Sequence, residues 1–220
     1  HECIVPELWW MSQEEHLKQF ASKLWLTDYL HGYRTPEDLW TFGIEDSLAV
    51  LNHVELRGRV LDIGPGGGLP GIVLAIVLRD VQFTLVDSSQ KSCKFLTEIT
   101  SALGLTNVQV LHERIEDFGK VHREEYDFAI SRAVAEIRIL AEYVAAPLKV
   151  GGMAVLWKGP SWVEELRTAQ NALAKLRLAF KENHDYFLDD RFRTLVVLSK
   201  EAPTPHGFPR KAGIPEKRPL

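Results

Sequence analysis

The chain has 220 residues, 45% of them hydrophobic, and a formal net charge of −4. That length and apolar content suit one large α/β domain with an appended segment, or two small domains. The longest apolar run, Ile72 to Leu78, is far too short to span a bilayer, and no basic, apolar, small-residue order marks a secretory signal. Cys3 and Cys93 have no metal-ligand spacing, so the expectation is a soluble, cytoplasmic chain in a reducing compartment with no disulfide and no metal.

The first 56 residues read as a helical extension. Leu17, Phe20, Ala21 and Leu24 repeat at helical spacing within Glu14 to Leu30. A break at Gly32 to Pro36 follows, then a second helix with Leu39, Trp40, Leu48 and Leu51 on its apolar side. This extension holds ten acids against three bases, so the excess of positive charge lies in the remainder, and a polyanion would meet the C-terminal part first. From residue 57 to 200 strands alternate with helices. Strands are expected at Val60–Ile63, Phe83–Val86, Val108–Leu111, Phe128–Ser131 and Ala154–Trp157, with two more near Ala179–Phe187 and Thr194–Ser199. Helices are expected at Pro70–Leu78, Ser89–Leu103, Ala135–Ala146 and Ser161–Leu176. That order predicts a doubly wound parallel sheet with its ligand at the carboxyl ends of the strands. Residues 201–220 carry five prolines and four Lys or Arg residues, including Arg210 and Lys211. They predict an extended basic tail, without regular helix, that lies on RNA phosphate or is simply disordered.

The richest stretch is Val60-Leu-Asp-Ile-Gly-Pro-Gly-Gly-Gly-Leu-Pro-Gly71, an apolar strand that runs into a glycine-rich turn and then a helix. Gly66, Gly68 and Gly71 fit a dinucleotide pattern, and Asp87 lies near the spacing of a ribose-binding acid. Asp62, two residues before the first glycine, argues against a dinucleotide. A carboxylate there would repel a pyrophosphate, whereas the cationic end of S-adenosylmethionine would tolerate it. The expected cofactor is therefore S-adenosylmethionine and the reaction methyl transfer, with a nicotinamide enzyme as the rival.

Successive strand ends carry matching chemistry. Asp87 can accept from both ribose hydroxyls. His112 to Phe118 can give adenine an apolar wall and an acceptor, or be an ordinary acidic helix start. Arg132 can hold the methionine carboxylate by paired hydrogen bonds. Lys158 follows the fifth strand as a base with no evident partner in sequence.

At this point the chain resembles the bacterial small-subunit ribosomal RNA methyltransferase G family, guanine-N7 enzymes also called glucose-inhibited division protein B. The resemblance is carried by Leu61-Asp-Ile-Gly-Pro-Gly-Gly-Gly-Leu-Pro-Gly-Ile72 and by Thr84-Leu-Val-Asp-Ser88 with Lys91 and Phe95-Leu96. Arg114-Ile-Glu116, Ile130-Ser-Arg-Ala133, Lys158-Gly159, Arg193-Thr-Leu-Val-Val197, Ala202-Pro-Thr-Pro205 and Phe208 to Pro215 extend it. It implies a class I methyltransferase fold, Rossmann-like, with seven strands, the last antiparallel, beneath an N-terminal helical cap. It implies Gly64, Leu69, Ile115, Glu116 and Arg132 as cofactor contacts, beside the motif residues Asp62, Gly66 and Asp87. The implied substrate is 16S ribosomal RNA, at the guanosine of reference position 527, free or in the small subunit. Lys91, Arg114, Lys158, Arg210 and Lys211 are expected on a rim that faces phosphate. The chain departs from the family at Trp25-Leu26-Thr27, where Asn-Leu-Thr is usual, at Gly43 in place of His, and at Ser92 in place of Arg.

Guanine N7 has a free lone pair and no proton, so no general base is expected and rate would come from alignment. Ser131-Arg132 after the fourth strand differs from the Asn/Asp-Pro-Pro-aromatic signature of amino-group methyltransferases. A same-fold enzyme with a small-molecule substrate and a non-catalytic RNA-binding assembly factor are the alternatives. A monomer is favoured.

Overall fold

The structure is a computed structural model and describes residues 6–27 and 32–220, with side chains from residue 13 onward. In chain order, α1 (Pro6–Trp25) and α2 (Pro36–Leu39) lead into a π-helical turn, Trp40–Glu45. The short α3 (Asp46–Leu48) and a 3-10 turn, Ala49–Asn52, complete the cap. Then come β1 (Arg59–Ile63), α4 (Gly71–Val77), β2 (Gln82–Asp87), α5 (Gln90–Ala102), β3 (Val108–His112) and α6 (Ile115–Val121). They are followed by β4 (Tyr126–Arg132), α7 (Ile137–Ala145), β5 (Leu148–Lys158), α8 (Trp162–Thr168) and α9 (Gln170–Leu176). β6 (Leu178–Leu188), β7 (Arg191–Lys200) and α10 (Ile214–Lys217) end the chain.

The strands form one seven-stranded sheet in the order β3-β2-β1-β4-β5-β7-β6. β1 to β5 pair in parallel, and β7 runs antiparallel between β5 and β6. Side chains alternate between two cores, as the two-residue period of a strand requires. Val60, Phe83, Ile130, Val155 and Val197 face α4, α5 and the cap, where Phe20, Leu24, Leu39 and Ile44 join them. Leu61, Val86, Ala129, Leu156 and Val196 face α6, α7 and α9. The cap thus shares its core with the sheet.

The register aligns the functional strand ends. Ile63 lies beside Val86, Asp87 beside His112, and Arg132 beside Trp157. Gly64, Asp87, Arg132 and Lys158 therefore emerge along one edge, around the point between β1 and β4 where the strand order reverses.

Several expectations change. The second cap helix is a chain of α, π and 3-10 turns rather than one helix, and Leu51 is exposed. Helix 161–176 breaks at Ala169 into α8 and α9. The acidic segment after β3 opens a helix, α6, in line with one of its two readings. The tail is neither extended nor free of helix. α10 tolerates Pro215 because a proline in the first turn lacks only an N–H that would have no intrahelical partner. Cys3 and the expected end of the first helix, 28–30, lie outside the described residues, whereas Cys93 is buried with its thiol 3.4 Å from the Asp87 carbonyl.

Candidate active site

The glycine turn is braced by two acids. Asp62 is fully buried beneath the start of α4, where its Oδ2 accepts the Gly71 N–H at 2.8 Å. A Cβ at Gly71 would lie 2.3 Å from that oxygen, so only glycine fits. Desolvation pushes the Asp62 carboxyl up to about 8, and neighbouring Asp87 adds to the rise. Asp62 is thus largely protonated at neutral pH and lines neither of the openings described below. The expected carboxylate facing a cation is instead a buried brace. Its Oδ1 finds no hydrogen-bond partner among the described residues.

Asp87 accepts the Gly66 N–H at 2.9 Å through one oxygen and the Ser89 N–H at 2.8 Å through the other. Gly66 takes φ +54°, a conformation glycine adopts without a steric cost. Asp87 lines a narrow cleft of about 80 Å³ together with Gly64, Ile115, Glu116, Tyr143 and Glu216. Val134 leans over Gly64, where a Cβ would come within 2.8 Å of its Cγ2. Glu116 sits at the first turn of α6, its side chain wholly buried. Its Oε1 accepts from Arg114 at 3.0 Å and from the Gly213 N–H at 2.8 Å. Burial would raise its carboxyl, but those hydrogen bonds, a contact with its own backbone N–H and the charge of Arg114 outweigh it and hold the group below the usual carboxylate range. Glu116 Oε2 is buried without a partner among the described residues.

A second cavity, about 290 Å³, opens over β4, β5 and β7 and is lined by Asp46, Arg132, Trp157, Lys158, Glu165 and Arg193. Arg132 is tied to the cap. It donates to the carbonyl of Phe42 at 2.7 Å and of Gly43 at 3.2 Å, bonds the Tyr33 hydroxyl, and lies 3.3 Å from Asp46. Both carbonyls belong to the π-helical turn, a feature often found at functional sites. A Cβ at Gly43 would meet the terminal methyl of Leu39 at 2.8 Å, so that side chain would have to move aside for a larger residue. Asp46, buried, accepts from the Tyr186 hydroxyl at 2.6 Å, and the Trp157 indole N–H donates to the Asp46 carbonyl at 2.8 Å.

Among the expected cofactor contacts, Gly64, Asp87, Ile115 and Glu116 converge on the narrow cleft, with Gly66 beside it. Leu69 packs toward the cap and Asp62 lies underneath. Arg132 opens on the other cavity with its guanidinium engaged. Among the bases expected to face phosphate, Lys158 is internal, donating to the Ala135 carbonyl at 2.6 Å and pairing with Glu165 at 2.7 Å. Arg210 forks onto the buried Glu142 at 2.7 Å. Arg114 joins Glu116. Lys91 and Lys211 are exposed. The sequence reading did not single out Asp46, Tyr143, Glu165, Tyr186, Arg193 or Glu216 as site residues. Arg193 stood in a matched segment and Glu216 directly after one, which was the signal available; Tyr143 gave none.

A seven-stranded sheet in this order with one reversed strand, a glycine turn after β1 and an acid closing β2 define a class I methyltransferase. Solved structures agree on the fold: YcgJ from Bacillus subtilis aligns with TM-score 0.56 at 15% identity over 71% of this chain and 98% of its own. TYW2 from M. jannaschii, in complex with AdoMet, gives TM-score 0.56 at 16% identity over 71% of this chain and 74% of its own. The family described as "GidB: rRNA small subunit methyltransferase G" matches residues 13–188. Relatives called ribosomal RNA small subunit methyltransferase G include that of Thermotoga neapolitana, 43% identical over 80% of this chain and 78% of its own. That of Carboxydothermus hydrogenoformans is 45% identical over 80% and 77%, and that of Prochlorococcus marinus 35% identical over 100% and 95%. The chain belongs to the rRNA small subunit methyltransferase G family.

Proposed function

We propose that this chain transfers a methyl group from S-adenosylmethionine to N7 of a guanosine in the RNA of the small ribosomal subunit, as a cytoplasmic, monomeric enzyme. The supporting observation is the pair of openings at one sheet edge, either side of the β1/β4 switch point, one suited to an adenosine and the other to a base.

The narrow cleft carries side chains that suit the adenosine end of the cofactor. Asp87 stands at the strand end with lone pairs beyond those its two backbone donors use, suited to ribose hydroxyls. Ile115 gives an apolar wall, and the orphaned Oε2 of Glu116 is a buried acceptor that lacks a donor. The cofactor supplies an electrophilic methyl group.

The second cavity matches a guanine. That ring shows acceptors at N7 and O6 and donors at N1 and N2. Arg132, Lys158 and Arg193 and the carboxylates of Asp46 and Glu165 stand around one volume of about 290 Å³, already paired with one another, so a base would have to share their contacts. Trp157 adds an aromatic edge. N7 needs no proton removed, so these side chains have to hold and align rather than act as a base. Positive charge moves onto the purine during transfer, and Asp46 and Glu165 are the acids of this lining, each shared with a base beside it. Lys91 and Lys211, both exposed, are the positive side chains proposed to meet RNA phosphate.

The test incubates the protein with S-adenosylmethionine and small subunits that lack the modification, followed by borohydride and aniline cleavage at N7-methylguanosine. Strand scission at one hairpin guanosine is expected. Methyl incorporation at another atom, or into a small molecule alone, overturns the proposal. RNA binding should also weaken as salt rises, which a small-molecule enzyme would not show.

A further inference from the structure

The C-terminal segment is built into the edge of the narrow cleft. Arg123, next to α6, donates to the carbonyls of Thr204 at 2.6 Å and Phe208 at 2.7 Å. Pro209 lies against Gly119 of α6, 3.2 Å from where a Cβ would stand. Arg210 then locks onto Glu142 of α7: its side chain makes three contacts of 2.7, 3.0 and 3.2 Å, and its backbone N–H a fourth of 2.8 Å. The Glu142 side chain is 1% exposed, so this is a desolvated fork rather than a surface ion pair.

Three residues on, the lock delivers Gly213 to Glu116. Gly213 takes φ +81°, and its N–H meets Glu116 Oε1 at 2.8 Å, the oxygen that Arg114 also holds. Glu216 follows from α10, accepts from the Tyr143 hydroxyl at 3.0 Å, and lines the cleft with it. Two donors on Oε1 fix the Glu116 carboxylate in place and ionised, so Oε2 is left as an acceptor that cannot turn away.

We propose that residues 210–216 are a positioning element of the adenosine site: they fix Glu116 so that its Oε2 demands an N–H from the purine, which makes this chain select a 6-amino purine over a 6-oxo purine. This rests on the reading of the cleft as the S-adenosylmethionine site. The 6-amino group of adenine satisfies the orphaned oxygen. A 6-oxo group would set two acceptors face to face in a buried place, and a site with an unmet buried polar group rejects such a ligand strongly.

The experiment compares binding of S-adenosylhomocysteine and S-inosylhomocysteine by calorimetry, with thermal unfolding recorded for each protein. The native chain should favour the adenosyl compound by about 100-fold. A Glu142→Met/Arg210→Met double variant releases the anchor without stranding a buried charge, and its preference should fall below about 10-fold. Glu116→Gln turns one acceptor into a donor and should narrow or reverse the preference. Equal loss of affinity for both compounds in the double variant, or an unchanged ratio in either variant, overturns the positioning role. So does a native chain that binds both alike. A native chain that binds neither compound refutes the cofactor reading itself, which is a distinguishable result.

Discussion

The two openings at the sheet edge are finished by opposite ends of the chain. The narrow cleft begins with the glycine turn and is completed by the last residues, through Gly213 on Glu116 and Glu216 on Tyr143. The larger cavity is completed by the N-terminal cap, through Asp46 and the carbonyls of Phe42 and Gly43 that hold Arg132. Both rely on a side chain whose polar group is already engaged before any ligand arrives. The difference lies in what is left over. Glu116 keeps one unpartnered oxygen, so its cleft is poised for a donor. Arg132 has most of its N–H groups on cap acceptors, so its first role is to join the cap to β4, and a role toward a ligand requires it to share those contacts.

Removing Arg132 is the sharpest way to break the comparison, and carries the largest expected effect. Arg132→Ala deletes the contacts to Tyr33, Phe42, Gly43 and Asp46 and leaves Asp46, 2% exposed, with only the more distant Arg193 at 3.9 Å as a cation. Breaking a buried pair from one side costs about 3–5 kcal/mol. Chemical denaturation should show that loss in the absence of any ligand. An arginine whose only role is to bind a cofactor carboxylate would leave ligand-free stability unchanged, so this measurement separates the two assignments.

A smaller effect separates two glycines of the same turn. Gly71→Ala drives a Cβ into Asp62 Oδ2 at 2.3 Å and should destabilise by about 3 kcal/mol, the upper range for overpacking. Gly66→Ala meets no atom within 4 Å, and its φ of +54° costs only about 1 kcal/mol. Thermal melts of the two variants should differ accordingly. Equal losses would mean that the turn, rather than the contact with Asp62, sets the requirement.

Asp62 also has a pH signature. Its carboxyl rises from 3.8 to about 8 on folding, so between those values the native state holds a proton that the unfolded chain releases. Its contribution is therefore fully present below about pH 4 and is lost as pH rises toward 8, with a slope of up to ~1.4 kcal/mol per pH unit. Asp62→Asn keeps an acceptor for the Gly71 N–H and removes the ionisation. Its stability should lose that slope, and S-adenosylhomocysteine affinity should change little. A large loss of affinity would restore Asp62 to a direct role with the cofactor.

The same contrast explains what was legible in the sequence. The five parallel strands, the glycine turn and the acids at Asp87 and Glu116 follow from local patterns: an apolar run, a turn residue, an acid at a strand end. The fold class and most of the narrow cleft could be read from those. The partners of Arg132, Lys158 and Arg210 could not: those of Arg132 and Arg210 lie tens of residues away in sequence, and Glu165 lies on the helix after β5, where only the turn between them brings it back to Lys158. Lys158 and Arg210 were therefore expected on a phosphate-facing rim and are instead neutralised by Glu165 and Glu142. The tail misled for a related reason. Its prolines rule out long regular structure, but they do not prevent an irregular segment from docking through its backbone, as Thr204, Phe208 and Gly213 do.

The smallest predicted effect probes the point where the tail and the cleft meet. Tyr143 donates its hydroxyl to Glu216 from the cleft wall, and desolvation keeps that phenol protonated well above its ordinary range. Tyr143→Phe removes one hydrogen bond and no ring, and Glu216 is exposed enough for water to replace the donor. Stability should fall by about 1 kcal/mol or less, and S-adenosylhomocysteine affinity by no more than a few-fold. Gly213 remains on Glu116, so the preference for a 6-amino purine should survive unchanged. Loss of that preference in Tyr143→Phe would shift the positioning role from the Gly213 contact to the Glu216 contact, and with it the part of the tail that the cofactor site depends on.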